Sequence, residues 1–277
     1  MHIRQISIQD RFDVDELLTT ATHLSVQVSW DKLPDILFKH PTLLARQEDR
    51  LGCIFGLTVE PETVARLNIF ALRNSWPVLD TLSELLPYAT EVLRHRAVDT
   101  LAHLGTEPWL VEALLSNGFR PTDAIITLQK THLAVPSAGN ADVIIRPAIR
   151  ADLSTLVEID RLAFDDPLWH HTVASLNELG RESTFLIVAE IDHIVGYAYG
   201  TAIGRHGHLS RIAVHPQWQG QQIGVRLLAE AIERFKAHRV FGITLNTQQD
   251  NTRSRRLYEW FGFEVLGVEA RVLKKQI

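Results

Sequence analysis

The chain has a single cysteine, Cys53, so it cannot form an intramolecular disulfide, and one thiol in 277 residues fits a reducing compartment. Long apolar runs are missing. None approaches the roughly 20 residues that span a bilayer, and Met1-His2-Ile3-Arg4-Gln5-Ile6 lacks the apolar core of a secretory signal. No block of like charges occurs and the net charge is −5, which leaves no basic footprint for nucleic acid. These absences predict a cytoplasmic protein with neither membrane nor nucleic acid as partner. Two phosphate-binding signatures are also absent, the nucleotide loop Gly-x-x-x-x-Gly-Lys-Ser/Thr and the dinucleotide Gly-x-Gly-x-x-Gly. His206 with His208, and His170 with His171, have no third ligand at metal spacing, so no metal is expected and a metal-dependent hydrolase is disfavoured.

What is present is the composition of a folded α/β protein, 45% hydrophobic and 22% charged, long enough for one large domain or two ordinary ones. Apolar alternation predicts a strand over 3–8, and helical spacing a helix over 12–24. Strands over 43–45, 51–59 and 65–72, a helix over 79–93, a short strand over 97–104 and a helix over 108–116 follow; a strand over 124–128 closes the half. Residues 131–142 are small, polar and without period, as a linker is. Beyond them come a strand over 143–149, helices over 153–164 and 172–179, and paired strands over 184–190 and 194–203. A strand from His208 to Val214, a helix over 224–238, a strand over 240–245, a helix over 252–261 and closing β structure over 263–273 complete the chain.

The order of elements repeats. Ile3-Arg4 with Asp10 matches Ile145-Arg146 with Asp152, and Ala71-Leu72 matches Ala213-Val214, each shifted by 142 residues. Ala45 with Gly52 matches Ala189 with Gly196, and Gly118-Phe119 matches Gly262-Phe263, at a shift of 144. A nearly constant shift implies two tandem copies of one α/β domain, 1–130 and 143–277.

Chemistry concentrates in the second copy. A strand ending Ile212-Ala213-Val214 runs through a Pro-marked turn into Gln219-Gly220-Gln221-Gln222-Ile223-Gly224 and then a helix starting near Val225. The backbone N–H groups of such a loop and helix start can converge on an anion without basic side chains. Asn251, Ser254, Tyr258, Gly262 and Phe263 follow at spacings that put Asn251 at a helix start and Tyr258 one turn before a Gly-Phe strand entry.

These motifs resemble the GNAT superfamily of acetyl-CoA-dependent N-acetyltransferases, over roughly 143 to the C-terminus. The family's Gln/Arg-x-x-Gly-x-Gly/Ala loop is similar to Gln219 through Gly224, and its Asn-x-x-Ser/Ala-x-x-x-Tyr-x-x-x-Gly-Phe to Asn251 through Phe263. The resemblance implies a mixed α/β sheet (α+β) in two tandem GNAT-like domains. It implies acetyl-CoA as cosubstrate, its pantetheine arm along Ile212, Ala213 and Val214 and its pyrophosphate over Gln219, Gly220, Gln221, Gln222, Ile223, Gly224 and Val225, with Asn251 and Ser254 beside it. Gln222 stands where the family prefers a glycine, which narrows the backbone conformations available at the pyrophosphate. Tyr258 takes the family's place for the acid that protonates the departing thiolate. His208 is the leading base for the amine, on the expectation that 208, 210, 212 and 214 share one strand face. Asn246, where other branches carry an acid, cannot accept a proton usefully. The loop 165–169 lies where the superfamily builds its acceptor-binding wall, and Phe164, Pro167 and Trp169 are loosely similar to the ribosomal-protein alanine acetyltransferases.

The first copy holds Trp76-Pro77-Val78-Leu79-Asp80-Thr81 at the loop, Leu114 at the tyrosine position and Glu107 at the Asn251 position, as a degenerate copy does. The expected function is transfer of acetyl from acetyl-CoA to a primary amine, a small molecule or peptide N-terminus, by direct attack in a monomer or homodimer. The alternative is a non-catalytic acyl-CoA-binding or sensing protein.

Overall fold

The computed structural model describes residues 1–59 and 63–277, which form two compact units, Met1–Asp123 with Ala270–Ile277, and Ala124–Glu269. The chain begins with β1 (His2–Gln5), α1 (Arg11–Thr20), β2 (His23–Val26), α2 (Leu33–Lys39), β3 (Thr42–Gln47), β4 (Arg50–Val59) and β5 (Val64–Leu72). It continues through α3 (Val78–Arg94), β6 (Thr100–Gly105), α4 (Pro108–Ser116) and β7 (Arg120–Lys130). Then come β8 (Ile144–Pro147), α5 (Leu153–Ala163), α6 (Val173–Glu182), β9 (Phe185–Glu190), β10 (Ile194–Ile203) and β11 (His206–Val214). Finally α7 (Ile223–Ala237), β12 (Gly242–Gln248), α8 (Thr252–Trp260) and β13 (Glu264–Gln276) complete the fold. No helix among the described residues is long and apolar enough to cross a membrane.

Each unit is an α/β fold on a mixed sheet. The first is ordered β1-β3-β4-β5-β6-β13 and the second β7-β12-β11-β10-β9-β8. Neighbours run antiparallel except for β5 with β6 and β11 with β12, the parallel pairs at which each sheet changes direction. The helix expected over 12–24 stops at Thr20, because Ala21 turns extended and His23–Val26 is a strand.

Chain order places the strand over 124–128 in the first half and the closing β structure in the second, but packing divides them otherwise. Ile126 and Leu128 are buried in the second unit's core and pair with β12, whereas Leu273 is buried in the first unit's core and the Arg271–Gln276 segment pairs with β6. A strand joins the sheet whose core receives its inward side chains, and sequence order does not encode that.

The repeat is visible contact by contact. Arg4 pairs with Asp10 at 2.5 Å and Arg146 with Asp152 at 2.7 Å. Each aspartate also accepts a backbone N–H, from Ser7 and Ile149 respectively, both at 2.8 Å. The arginine hydrogen bonds hold both carboxyls below their usual pKa range. Gly118 and Gly262 close α4 and α8 at φ +85° and +82°, where a side chain would strain the backbone. The β-bulges repeat as well. In β5 the register skips Asn68 and in β11 it skips Ser210, again 142 residues apart.

Beyond the bulges the two copies part company. The parallel pairings stop at Arg66 in β5 and at Leu209 in β11, which opens both sheets there. In the first unit β2 lies along the opened edge, Val26 to His23 opposite Ile69 to Leu72. No described strand pairs with the corresponding edge of Arg211–Val214, which is bonded to β10 on one side alone.

Candidate functional site

The open edge of β11 is one wall of a cavity of about 390 Å³, with the loop after it, the start of α7 and one face of α8 as the others. A 3-10 turn at Pro216–Trp218 leads into Gly220 at φ +83° and Gln222 at φ +59°. Two left-handed residues within three positions fold the loop back over the helix start. They leave the N–H groups of Ile223, Gly224 and Val225 without intrahelical carbonyls to bind. Gln219 fixes the loop from both sides. Its Nε2 donates to the Val214 carbonyl at 3.0 Å, and its Oε1 accepts from the Arg253 guanidinium on α8.

Gln222 therefore adopts the backbone conformation that a glycine would supply, and the expected narrowing shows itself as local strain. Its side chain caps nothing. Gln222→Gly is expected to raise stability by up to about 1 kcal/mol, read as a melting temperature higher by roughly 2–4 °C. An unchanged or lower melting temperature would show that the left-handed turn carries no strain.

On α8, Asn251 caps the helix, its Oδ1 accepting from the Ser254 N–H at 3.1 Å, while both side chains stay on the cavity wall. Tyr258 comes two turns later. Its ring packs edge-on against Phe263 at 5.9 Å, and the residue is 8% exposed. Burial pushes its phenol up to about 12, against a smaller opposing pull from the Arg211 charge, so the hydroxyl stays protonated across the neutral range. No described group hydrogen-bonds that hydroxyl, and Tyr258 lines the cavity.

His208 is not on the face expected for it. Gly207 and Leu209 pack toward α7, where Phe235 and Leu227 lie, and so do Ile212 and Val214; Ala213 and Tyr199 pack toward α5. The bulge at Ser210 resets the alternation, so His208 shares a face with Arg211 and Ala213, opposite Ile212 and Val214. There its Nδ1 meets Thr244 Oγ1 at 3.0 Å, and the Thr244 hydroxyl reaches the Gly207 carbonyl at 3.4 Å. With that hydroxyl donating to Gly207, Nδ1 carries the imidazole proton and Nε2 keeps its lone pair. Burial lowers the His208 pKa and Glu269 opposes the shift.

A buried polar network, not foreseen from the sequence, supports the wall beside Tyr258. Asp160 on α5 is 0% exposed. It accepts from the Tyr197 hydroxyl at 2.5 Å and the His171 N–H at 2.8 Å, with Arg211 Nε 3.6 Å away. Arg211 donates to the Trp169 carbonyl at 2.6 Å, and its guanidinium lies 4.2 Å over the Phe164 ring. The cation thus holds both ends of the 164–169 segment, and Phe164 lines the cavity.

Of the residues assigned to catalysis or cofactor binding in the sequence, all but Gln221 and His208 line this cavity; so does Phe164 from the acceptor wall, without Pro167 or Trp169, whereas Ala163, Trp218, Arg253 and Leu257 were missed. Trp218 adjoins the motif directly and was findable, whereas Arg253 announces itself only through its bond to Gln219. His170 and His171 take separate partners. His170 Nε2 bonds the Phe164 carbonyl at 2.6 Å, and His171 Nε2 lies 3.1 Å from the Tyr199 hydroxyl. Among the described residues no three candidate ligands cluster as a metal site.

A family profile described as acetyltransferase (GNAT) family matches residues 153–263. A ribosomal protein bS18-alanine N-acetyltransferase of Haemophilus ducreyi is 27% identical over 124 residues, 45% of this chain and 84% of that protein. An uncharacterized N-acetyltransferase of Methanocaldococcus jannaschii is 32% identical over 124 residues, 44% of this chain and 78% of that protein. A tandem GNAT protein from the clavulanic acid biosynthesis pathway shares the fold, with TM-score 0.67 at 14% identity over 99% of this chain and 98% of its own. The profile match takes in the open strand, the left-handed loop and the α8 tyrosine just described, and the chain belongs to the GNAT family of acetyltransferases.

Proposed function

We propose that the second unit transfers an acetyl group from acetyl-CoA to a primary amine, a small molecule or a peptide N-terminus. One observation carries this reading. An unpaired strand edge, a helix start with free N–H groups and a protonated phenol line the same cavity. The donor set fits a CoA thioester. The Arg211–Val214 edge offers backbone hydrogen bonds to an extended amide chain. The loop and α7 start, with Arg253 beside them, suit a pyrophosphate. Acetyl-CoA, when bound, supplies the acyl group as a thioester. Tyr258 Oη holds the proton that a thiolate needs, and His208 Nε2 is the acceptor for the proton that an ammonium must lose, directly or through water.

The first unit supports one cofactor per chain. Its β2 covers the edge equivalent to Arg211–Val214, and Trp76 stacks on Gly52 next to the loop. Calorimetry with acetyl-CoA is expected to give one site per chain. An amine panel that includes an alanine-terminated peptide is expected to release free thiol. Binding without thiol release from any amine would favour a non-catalytic acyl-CoA sensor.

Because burial lowers its pKa, His208 stays neutral below the usual histidine range. Provided that chemistry is limiting, kcat/KM is expected to hold from neutral pH downward and to fall only as pH drops through that lowered value. His208→Ala should abolish this acidic limb and lower kcat/KM by about 10²-fold or more. An unchanged limb in the variant would assign the base elsewhere.

A further inference from the structure

On the face of the second unit's sheet that carries His208, polar side chains from three strands stand side by side. Thr244 and Asn246 lie on β12, and Thr127 on β7 is the register partner of Asn246. Thr244 is the register partner of His208. Residues two apart on a strand share a face about 7 Å apart, so Asn246 is one step from Thr244 along the opened side of the sheet. Glu269, at the end of the second unit, completes the row: Thr127 Oγ1 lies 2.5 Å from its Oε2 and 3.1 Å from Asn246 Oδ1.

One hydroxyl hydrogen cannot serve two acceptors. The carboxylate at 2.5 Å takes it. We therefore assign the Asn246 amide the flipped orientation, in which its NH2 donates to Thr127 Oγ1 and its carbonyl oxygen faces away from Thr127. Asn246 and Glu269 are exposed, so neither group is consumed by the core. Around His208 the facing partners Thr201 on β10 and Thr244 on β12 are uncharged; of the charged groups on this side, Arg146 and Glu190 pair with each other and Asp160 is held by Tyr197 and Arg211. Arg211 is occupied by Trp169, Asp160 and Phe164. Glu269 is the carboxylate whose field reaches His208.

We infer that Glu269, held by Thr127, and the Asn246 carbonyl oxygen form the ammonium-binding site for the acceptor, beside the His208 imidazole. The inference rests on the transferase reading above. A primary ammonium has three N–H donors, and here it meets a carboxylate, an amide oxygen and an imidazole lone pair. The acceptor class is thus an amine that arrives cationic. In the step that follows, one ammonium N–H bond breaks, His208 Nε2 gains the proton, and the nitrogen keeps the electron pair with which it attacks. Asn246, though unable to act as a base, acts in binding.

Steady-state kinetics of Glu269→Gln at saturating acetyl-CoA tests the inference, across pH and across amines that are cationic or neutral at the assay pH. KM for cationic amines is expected to rise about tenfold, the loss of one charge-assisted hydrogen bond. KM for neutral amines and the affinity for acetyl-CoA should be unchanged. The acidic limb of kcat/KM should move to lower pH, because the charge that favours protonated His208 is gone. NMR titration of the His208 ring should show the same fall without any turnover, and Glu269→Asp should restore both. An active protein whose Glu269→Gln variant keeps its KM and its limb overturns the ammonium site alone. A wild-type protein that releases no thiol with any amine overturns the transferase reading, and the ammonium site with it.

Discussion

Tyr258→Phe is expected to lower kcat by about 10²–10⁴-fold, the range for loss of one positioned proton donor, with little change in acetyl-CoA affinity. The ring is what the fold uses: it packs edge-on against Phe263 in a core that holds Leu227, Leu245 and Phe261, and phenylalanine keeps that packing. The hydroxyl is the part left over. No described group hydrogen-bonds it, so removing it orphans no partner within the protein. Its pKa of about 12 keeps the proton in place wherever an amine assay is run, and that proton is available only to something in the cavity. The effect should therefore fall on the chemical step, as an equal loss in kcat and kcat/KM. Single-turnover thiol release is the decisive measurement, since slow product release would mask it. Full turnover by the variant with chemistry limiting would remove Tyr258 from the acid role.

How much of this could be read from the chain depends on whether a feature is local. The loop from Gln219 to Gly224 and the helix from Asn251 to Tyr258 are contiguous stretches whose spacing fixes their geometry, and the fold brings them to one cavity. The tandem repeat was legible because Arg4 with Asp10 and Arg146 with Asp152 close short local loops in both copies. Alternation puts His208 on the wrong face for a definite reason. Alternation is counted residue by residue, and one bulged residue, Ser210, inverts everything on the far side of it. Strand partners are non-local in the same way. Nothing within 23–26 says that this segment will line the edge of β5, and nothing within 270–277 says which sheet it joins. Asp160 is legible in the sequence only as one residue of the helix over 153–164, because its partners Tyr197, His171 and Arg211 lie 37, 11 and 51 residues away.

Asp160 is the position at which a single substitution should cost the most stability. Its carboxylate is fully buried and has three partners that stay buried when it is removed: the Tyr197 hydroxyl, the His171 N–H and the Arg211 guanidinium. A buried ion pair adds little net stability while it is intact, since desolvation offsets the attraction, but breaking it from one side strands the other charge. Asp160→Ala is therefore expected to lower the unfolding free energy by about 3–5 kcal/mol, which is a fall in melting temperature of roughly 10 °C or more for a unit of this size. Asp160→Asn keeps one acceptor oxygen and the side-chain volume, and should cost roughly half as much. The loss should also reach the cavity. Arg211 without its counter-charge is freed from the geometry in which it grips the Trp169 carbonyl and covers Phe164, so KM should rise in Asp160→Asn under conditions where the variant is still folded. Calorimetry of the two variants, with amine KM measured on the asparagine form, checks both halves. An alanine variant that melts with the wild type would mean that Arg211 finds another partner or that water reaches it. In either case the network would not be what holds the 164–169 wall against the open strand.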